Sequence, residues 1–239
     1  MIDMKTVFHS AGSRGFADHD WLKSNHSFSF SGYYNPDRIG FGALRVLNDD
    51  KVKGGRGFGE HPHDNMEIIS IPLKGGLVHM DSLGNSAIIR PGEVQAMSAG
   101  TGIYHTEYNQ DENLDVEFLQ IWLYPDKRNV TPRYDQYVIP FGDKNVLHQV
   151  LSSSEDDSGV WIHQQAWFHM GEFDKDMSLT YKMKNPSDGL YIFVIAGSVI
   201  TADCTLQARD GLGIWEIGEV PLTVTMGSKV LLMEVPMKY

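Results

Sequence analysis

MEIISIPLKGGLVHMDSLGNSAIIRPGEVQAMSAG (66–100) contains four short apolar runs, each closed by a turn signal. MEIISIPLK (66–74) stops at Gly75-Gly76, LVHMDS (77–82) at Leu83-Gly84-Asn85, AIIR (87–90) at Pro91-Gly92, and VQAMS (94–98) at Ala99-Gly100. Runs this short, rich in β-branched residues and separated by glycine and proline, make a β-meander and not a helical segment. The chain is therefore expected to be all-β.

Two histidine motifs flank the meander: HPH (61–63) before it and HTE (105–107) after it. In a strand, residues two apart share a face, so His61 and His63 point one way, as do His105 and Glu107 on theirs. Two such strands brought side by side would converge four metal-competent groups, a transition-metal constellation. A buried polar network built from the same residues is the alternative. Pro62 cannot donate to a ladder, which places this strand at a sheet edge or its start. The other histidines (His9, His19, His26, His79, His148, His163 and His169) are isolated and read as ordinary core or surface residues. Of the flanking apolar side chains, Phe58, Met97 and Tyr104 are candidates to line a pocket.

Bulk properties set the context. A chain of 239 residues can bury a substantial core in one large or two small domains. Its formal net charge of −11 opposes direct nucleic-acid binding, which depends on clustered Lys and Arg. The single cysteine, Cys204, excludes an internal disulfide framework and has no neighbour that marks a nucleophile. The first residues lack the apolar core of a secretion signal, so a cytoplasmic location is expected. LYIFVIAG (190–197) is far too short to span a bilayer and reads as a buried strand, so no membrane contact is expected. Nucleophile-elbow, P-loop and dinucleotide fingerprints are absent.

The second half repeats the punctuation of the first. KGGLVHM (74–80) is answered by AGSVITA (196–202), RPGEVQAMSAG (90–100) by RDGLGIWEIG (209–218), and VEFLQIWLYP (116–125) by KVLLMEVP (229–236). Matching order at a near-constant offset indicates a duplicated β-unit. The positions answering the two histidine motifs fall near Tyr181–Met183 and 217–225, where no histidine lies. One metal per chain is expected, in the first unit only. The polar, turn-like SSSEDDSG (152–159) is a loose marker of the junction, and WIHQQAWFHM after it looks like strand.

GFGEHPHDNMEI, MSAGTGIYHTEYN, the N-terminal DWLKSNHSFSFSGYYNPDRIGFGALRVLNDD and TPRY (131–134) resemble the pirin family of bicupins. The resemblance implies two cupin-type β-barrels: residues 1–135 with the metal site, and 136–239 with the site vacated. It implies one divalent metal, Fe(II), held by His61, His63, His105 and Glu107. The general cupin pattern would take its carboxylate from Glu67 instead, which also keeps strand parity with His63. Zinc, nickel, manganese and copper suit the same donors. Bacterial proteins of this kind are associated with oxidative cleavage of flavonols such as quercetin by O2, and Glu107 would accept the substrate's hydroxyl proton. The resemblance also admits a different reading, a non-catalytic metal-binding regulatory module with a protein partner.

Overall fold

The computed structural model describes residues 4–140 and 142–239. Strands, numbered here in chain order, form two barrels, each with a seven-stranded and a four-stranded sheet. The first barrel's long sheet runs β12 (Arg133–Val138), β9 (Glu93–Ser98), β6 (Glu67–Lys74), β11 (Val116–Leu123), β4 (Leu44–Val52), β3 (Leu22–His26), β2 (Gly15–Asp18). Its short sheet runs β5 (Gly57–His63), β10 (Ile103–Asn109), β7 (Leu77–Asp81), β8 (Ser86–Ile89). In the second barrel the long sheet is β1 (Lys5–His9), β20 (Gly211–Trp215), β17 (Asp188–Ala196), β22 (Lys229–Pro236), β15 (Trp167–Glu172), β13 (His148–Ser152), β14 (Val160–Trp161). The short one is β16 (Met177–Lys182), β21 (Glu219–Val224), β18 (Ser198–Thr201), β19 (Cys204–Gln207).

The meander is present as read: 66–74, 77–82, 87–90 and 94–98 become β6, β7, β8 and β9 with ends shifted by a residue or so. The short sheets share one strand order, and so do the long sheets over their five middle strands, so the internal repeat is structural, and both barrels are cupin-type. LYIFVIA of the run LYIFVIAG lies within β17, buried almost throughout, and Gly197 follows the strand's end. Among the described residues no helix is long and apolar enough to cross a membrane.

The strand periodicity explains where the core sits. On β6, Ile69 and Ile71 join a cluster with Leu119 and Ile121 of β11 and with Phe168, Tyr191, Phe193, Leu231 and Met233 of the second barrel. The two long sheets are thus packed back to back. The alternate residues turn inward: Ile68 packs with Met97 and Ile103 inside the first barrel, while Leu190, Ile192 and Val194 fill the second. Strands buried on both faces read as continuous apolar runs for this reason. Truncating Phe193, 1% exposed between the barrels, to alanine would cost about 3–5 kcal/mol.

Division between the halves is not sequential. β1, from the extreme N-terminal end, pairs antiparallel with β20 of the second barrel, matching the place β12 takes beside β9 in the first. The expected boundary at 135/136 falls inside β12. SSSEDDSG lies between β13 and β14, within the second barrel, because polar, turn-forming composition marks any tight surface turn. WIHQQAWFHM is two strands, β14 and β15, with a turn between them.

At the turn before β10, Gly100 has φ +49°, and a Cβ there would lie 2.0 Å from the Val130 carbonyl oxygen. Only glycine fits this turn, which sets the entry of the strand carrying His105 and Glu107.

Candidate metal centre

β5 and β10 are antiparallel neighbours, with His61 directly opposite His105 and His63 opposite Ile103. β5 is an edge strand, so Pro62 removes no ladder donor the sheet needs. The three imidazoles converge: ring centroids lie 4.4 Å apart for His61–His105, 4.9 Å for His61–His63 and 5.0 Å for His63–His105. One ligand nitrogen from each falls within 4.8 Å of the others. Among the described residues this is the one such cluster of three or more metal-competent groups.

The hydrogen bonding leaves these nitrogens available. His61 Nδ1 lies 2.7 Å from the Gly59 carbonyl oxygen, so Nδ1 carries the proton and Nε2 keeps its lone pair. His105 is 1% exposed, and neither of its ring nitrogens has a hydrogen-bond partner. A buried polar atom without a partner costs about 1–3 kcal/mol, and a bound cation would meet that demand. Burial, then the neighbouring His61, His63 and His79, push the His105 imidazolium down to about 2. Burial, then His61, push His63 down to about 4. Both rings are neutral at pH 7, the protonation state a metal ligand requires. The donor set fits a divalent transition ion.

Glu107 lies outside the 4.8 Å set formed by the three histidines. It is buried on the barrel's inner side, where Gln120 Nε2 donates to Oε2 at 2.7 Å. Ser70 Oγ lies 3.0 Å from Glu107 Oε1 and 2.7 Å from Gln120 Oε1, so its single proton serves one of them at a time. Burial pushes the Glu107 carboxyl above the usual range. Glu67 faces elsewhere: Ser98 Oγ donates to it at 2.7 Å, and burial, against that bond and one from the His163 backbone, holds it up at about 7. Strand parity does not carry from His63 to Glu67 because the chain turns between β5 and β6, with Asn65 at φ +46°.

A cavity of about 450 Å³ opens beside the cluster, lined by His61, His63, Glu107 and Gln120 and walled by Trp21, Phe30, Phe58 and Trp122. Phe58 is therefore placed as expected. Met97 is instead packed in the inner core, and Tyr104 is 52% exposed on the far side of β10. The sequence reading missed Ser70, Gln120 and Trp122. Gln120 was the detectable one, a lone buried amide in the apolar run VEFLQIWL. It also grouped His79 with the isolated histidines, yet His79 pairs across the ladder with Glu107, stacks on Tyr134 and packs 5.4 Å from His105. His163 and His169 form no cluster: His163 sits in a turn, and His169 contacts Tyr181 in the second barrel. There Tyr181 donates to Glu234 at 2.8 Å, filling the space that answers the first barrel's histidines.

Two cupin-type barrels, one of which carries three convergent histidines, define a bicupin with, among the described residues, a single candidate metal centre. Residues 7–123 match the Pirin family model, and residues 149–235 match the model described as the quercetinase C-terminal cupin domain. The chain belongs to the pirin family. It is 38% identical to a quercetin 2,3-dioxygenase of Escherichia coli K12, across 95% of this chain and 96% of that protein. A pirin-like protein of Caulobacter vibrioides is 36% identical over 98% of this chain and 99% of its own length. Among solved structures, the bacterial pirin YhhW of Escherichia coli in complex with nickel(II) superposes with a TM-score of 0.92 at 37% identity, covering 97% of this chain and 99% of that one.

Proposed function

We propose that this protein is a metal-dependent flavonol dioxygenase, acting on quercetin-type substrates with O2 at a single centre in the first barrel. The observation that supports it most is His105: a fully buried, neutral imidazole without a hydrogen-bond partner, flanked by two more, at the edge of an aromatic-walled cavity. His61, His63 and His105 would hold the ion, with Glu107 as fourth ligand. Iron is the metal the family resemblance implies, and the nickel complex of YhhW supports a divalent ion of this class. When bound, such an ion supplies Lewis acidity that favours the ionised form of a chelating hydroxyl.

The chain's own residues would do the rest. Glu107 accepts the hydroxyl proton, a role suited to a carboxylate whose pKa burial has raised. Gln120 and Ser70 fix the direction of its oxygens. Trp21, Phe30, Phe58 and Trp122 exclude water and stack the flat substrate. The second barrel serves as scaffold. Residues 1–135 and 136–239 are assigned these two roles, apart from β1, which is built into the second barrel.

Elemental analysis combined with oxygen uptake tests the reading. One metal per chain and uptake with quercetin, but none with a flavone lacking the 3-hydroxyl, is expected. Stoichiometric metal without uptake on any flavonol would favour the regulatory module instead.

A further inference from the structure

Beyond the histidines, Glu107 and the Ser70–Gln120 pair that holds it, the polar lining of the cavity continues along the same sheet. Across the inner face of the long sheet, Ser70, Gln120, Asn48 and His26 are successive cross-strand partners on β6, β11, β4 and β3. One rung further on, Asp50 of β4 lies opposite Ser24 of β3. His26 Nδ1 is 2.9 Å from Asn48 Oδ1, and Ser24 Oγ donates to Asp50 Oδ1. Asp50 is 4% exposed, lines the cavity, and makes no hydrogen bond through Oδ2. Among the described residues it has no ion-pair partner. Trp21, Leu22, Phe30 and Phe58 supply the apolar surface of the same cavity. Two interstrand spacings, about 10 Å, separate Gln120 from β3, comparable with the length over which a three-ring flavonol spreads its oxygens.

We infer that Asp50 and Ser24, backed by Asn48 and His26, form a second polar subsite that binds the hydroxyl groups at the end of an aromatic ligand remote from the histidine cluster. This rests on the flavonol reading for the choice of ligand. Asp50 determines specificity: a ligand lacking those hydroxyls leaves Oδ2 buried without a partner, the condition under which a site discriminates strongly. Burial, opposed by the bond from Ser24, holds the Asp50 carboxyl up at about 7, so it can donate as well as accept. An asparagine there preserves both capacities, and a leucine preserves only the volume.

The test is anaerobic binding of quercetin and of galangin, the flavonol lacking hydroxyls on the pendant ring, to the metal-loaded protein by calorimetry. Wild type should bind quercetin about tenfold more tightly, one hydrogen bond's worth. The ratio of Kd values should fall to near one in Asp50→Leu and be retained in Asp50→Asn. Should Asp50→Leu fail to fold, Ser24→Ala must lower the ratio. A wild-type ratio near one, an unchanged ratio in the Leu and Ala variants, equal loss of both ligands on substitution, or no binding of either flavonol would each overturn the subsite. Oxygen uptake on the same samples separates the two ideas. Discrimination without turnover refutes the dioxygenase reading and supports the subsite, and turnover without discrimination does the reverse.

Discussion

His105 makes the greatest unmet demand of any residue at the centre, with two buried nitrogens and no partner for either. His105→Ala should lower metal affinity by more than the roughly 10–100-fold lost with outer-shell partners, and His61→Ala should do the same. Circular dichroism should stay native, since the core between the barrels holds the fold. Unchanged metal content in either variant would refute the site. Glu67 permits a pH test away from the metal. Its pKa is about 7 folded against 4.5 unfolded, so between those values the folded state binds more protons and stability falls as pH rises. Glu67→Gln removes that dependence. Its stability relative to wild type should climb from pH 4.5 to 7 and then level, by on the order of 1–3 kcal/mol, in urea titrations at each pH. A flat difference would refute the buried-carboxyl account. The convergence of the three histidines was legible because each pair obeys strand parity. The position of Glu67 was not, since parity is lost at a turn that spacing alone does not reveal.

At the scale of the element, β5 departs from regular alternation. Its register against β10 shifts between His105 and Glu107, so His105 faces His61 while Glu107 faces Phe58. One extra residue in β5, at Gly59–Glu60, makes a bulge that puts Phe58 on the same side as His61 and His63. Phe58 then packs edge-on against Trp21, ring centroids 5.2 Å apart, in the cavity wall. Deleting Glu60 should remove the bulge and restore strict alternation, with Phe58, now two residues before His61, still on the cavity side. Metal affinity and Trp21 fluorescence should therefore stay near wild type in a protein that still folds, because β5 is an edge strand. Loss of metal binding or a shifted fluorescence would show that the bulge itself is required, and not only the shared face of Phe58 and the histidines. The meander could be read from its glycines and prolines, whereas nothing in GFGEHPH announces a bulge, since two-versus-one pairing depends on the partner strand.

For the whole molecule, the shared core predicts a single unit of stability. Phe168, Tyr191, Phe193 and Leu231 of one barrel pack on Ile69, Leu119 and Ile121 of the other, and Asp49 of the first barrel is bridged by Arg14 at 3.0 Å and by Arg209 of the second at 3.4 Å. Calorimetry should show one cooperative transition, and two resolved peaks would contradict the shared core. Residues 139–239 expressed alone should not yield a stable monomer, since they lack β1 and expose one face of the long sheet. A soluble, cooperatively folding fragment would overturn this. The repeat announced two barrels, but the exchange of β1 could not be foreseen, because a five-residue strand carries no signal of which barrel it will join.

That exchange also bears on how the chain is made. β1 leaves the ribosome well before its partner β20, which is synthesised some 200 residues later, and at about 5–20 residues per second that is a delay of roughly 10–40 s. By the end of that interval every strand of the first barrel has been made, and β1 still has no mate. β1 must therefore stay unpaired until β20 emerges, and closure of the second barrel becomes a late event, timed by synthesis of that barrel's last strands.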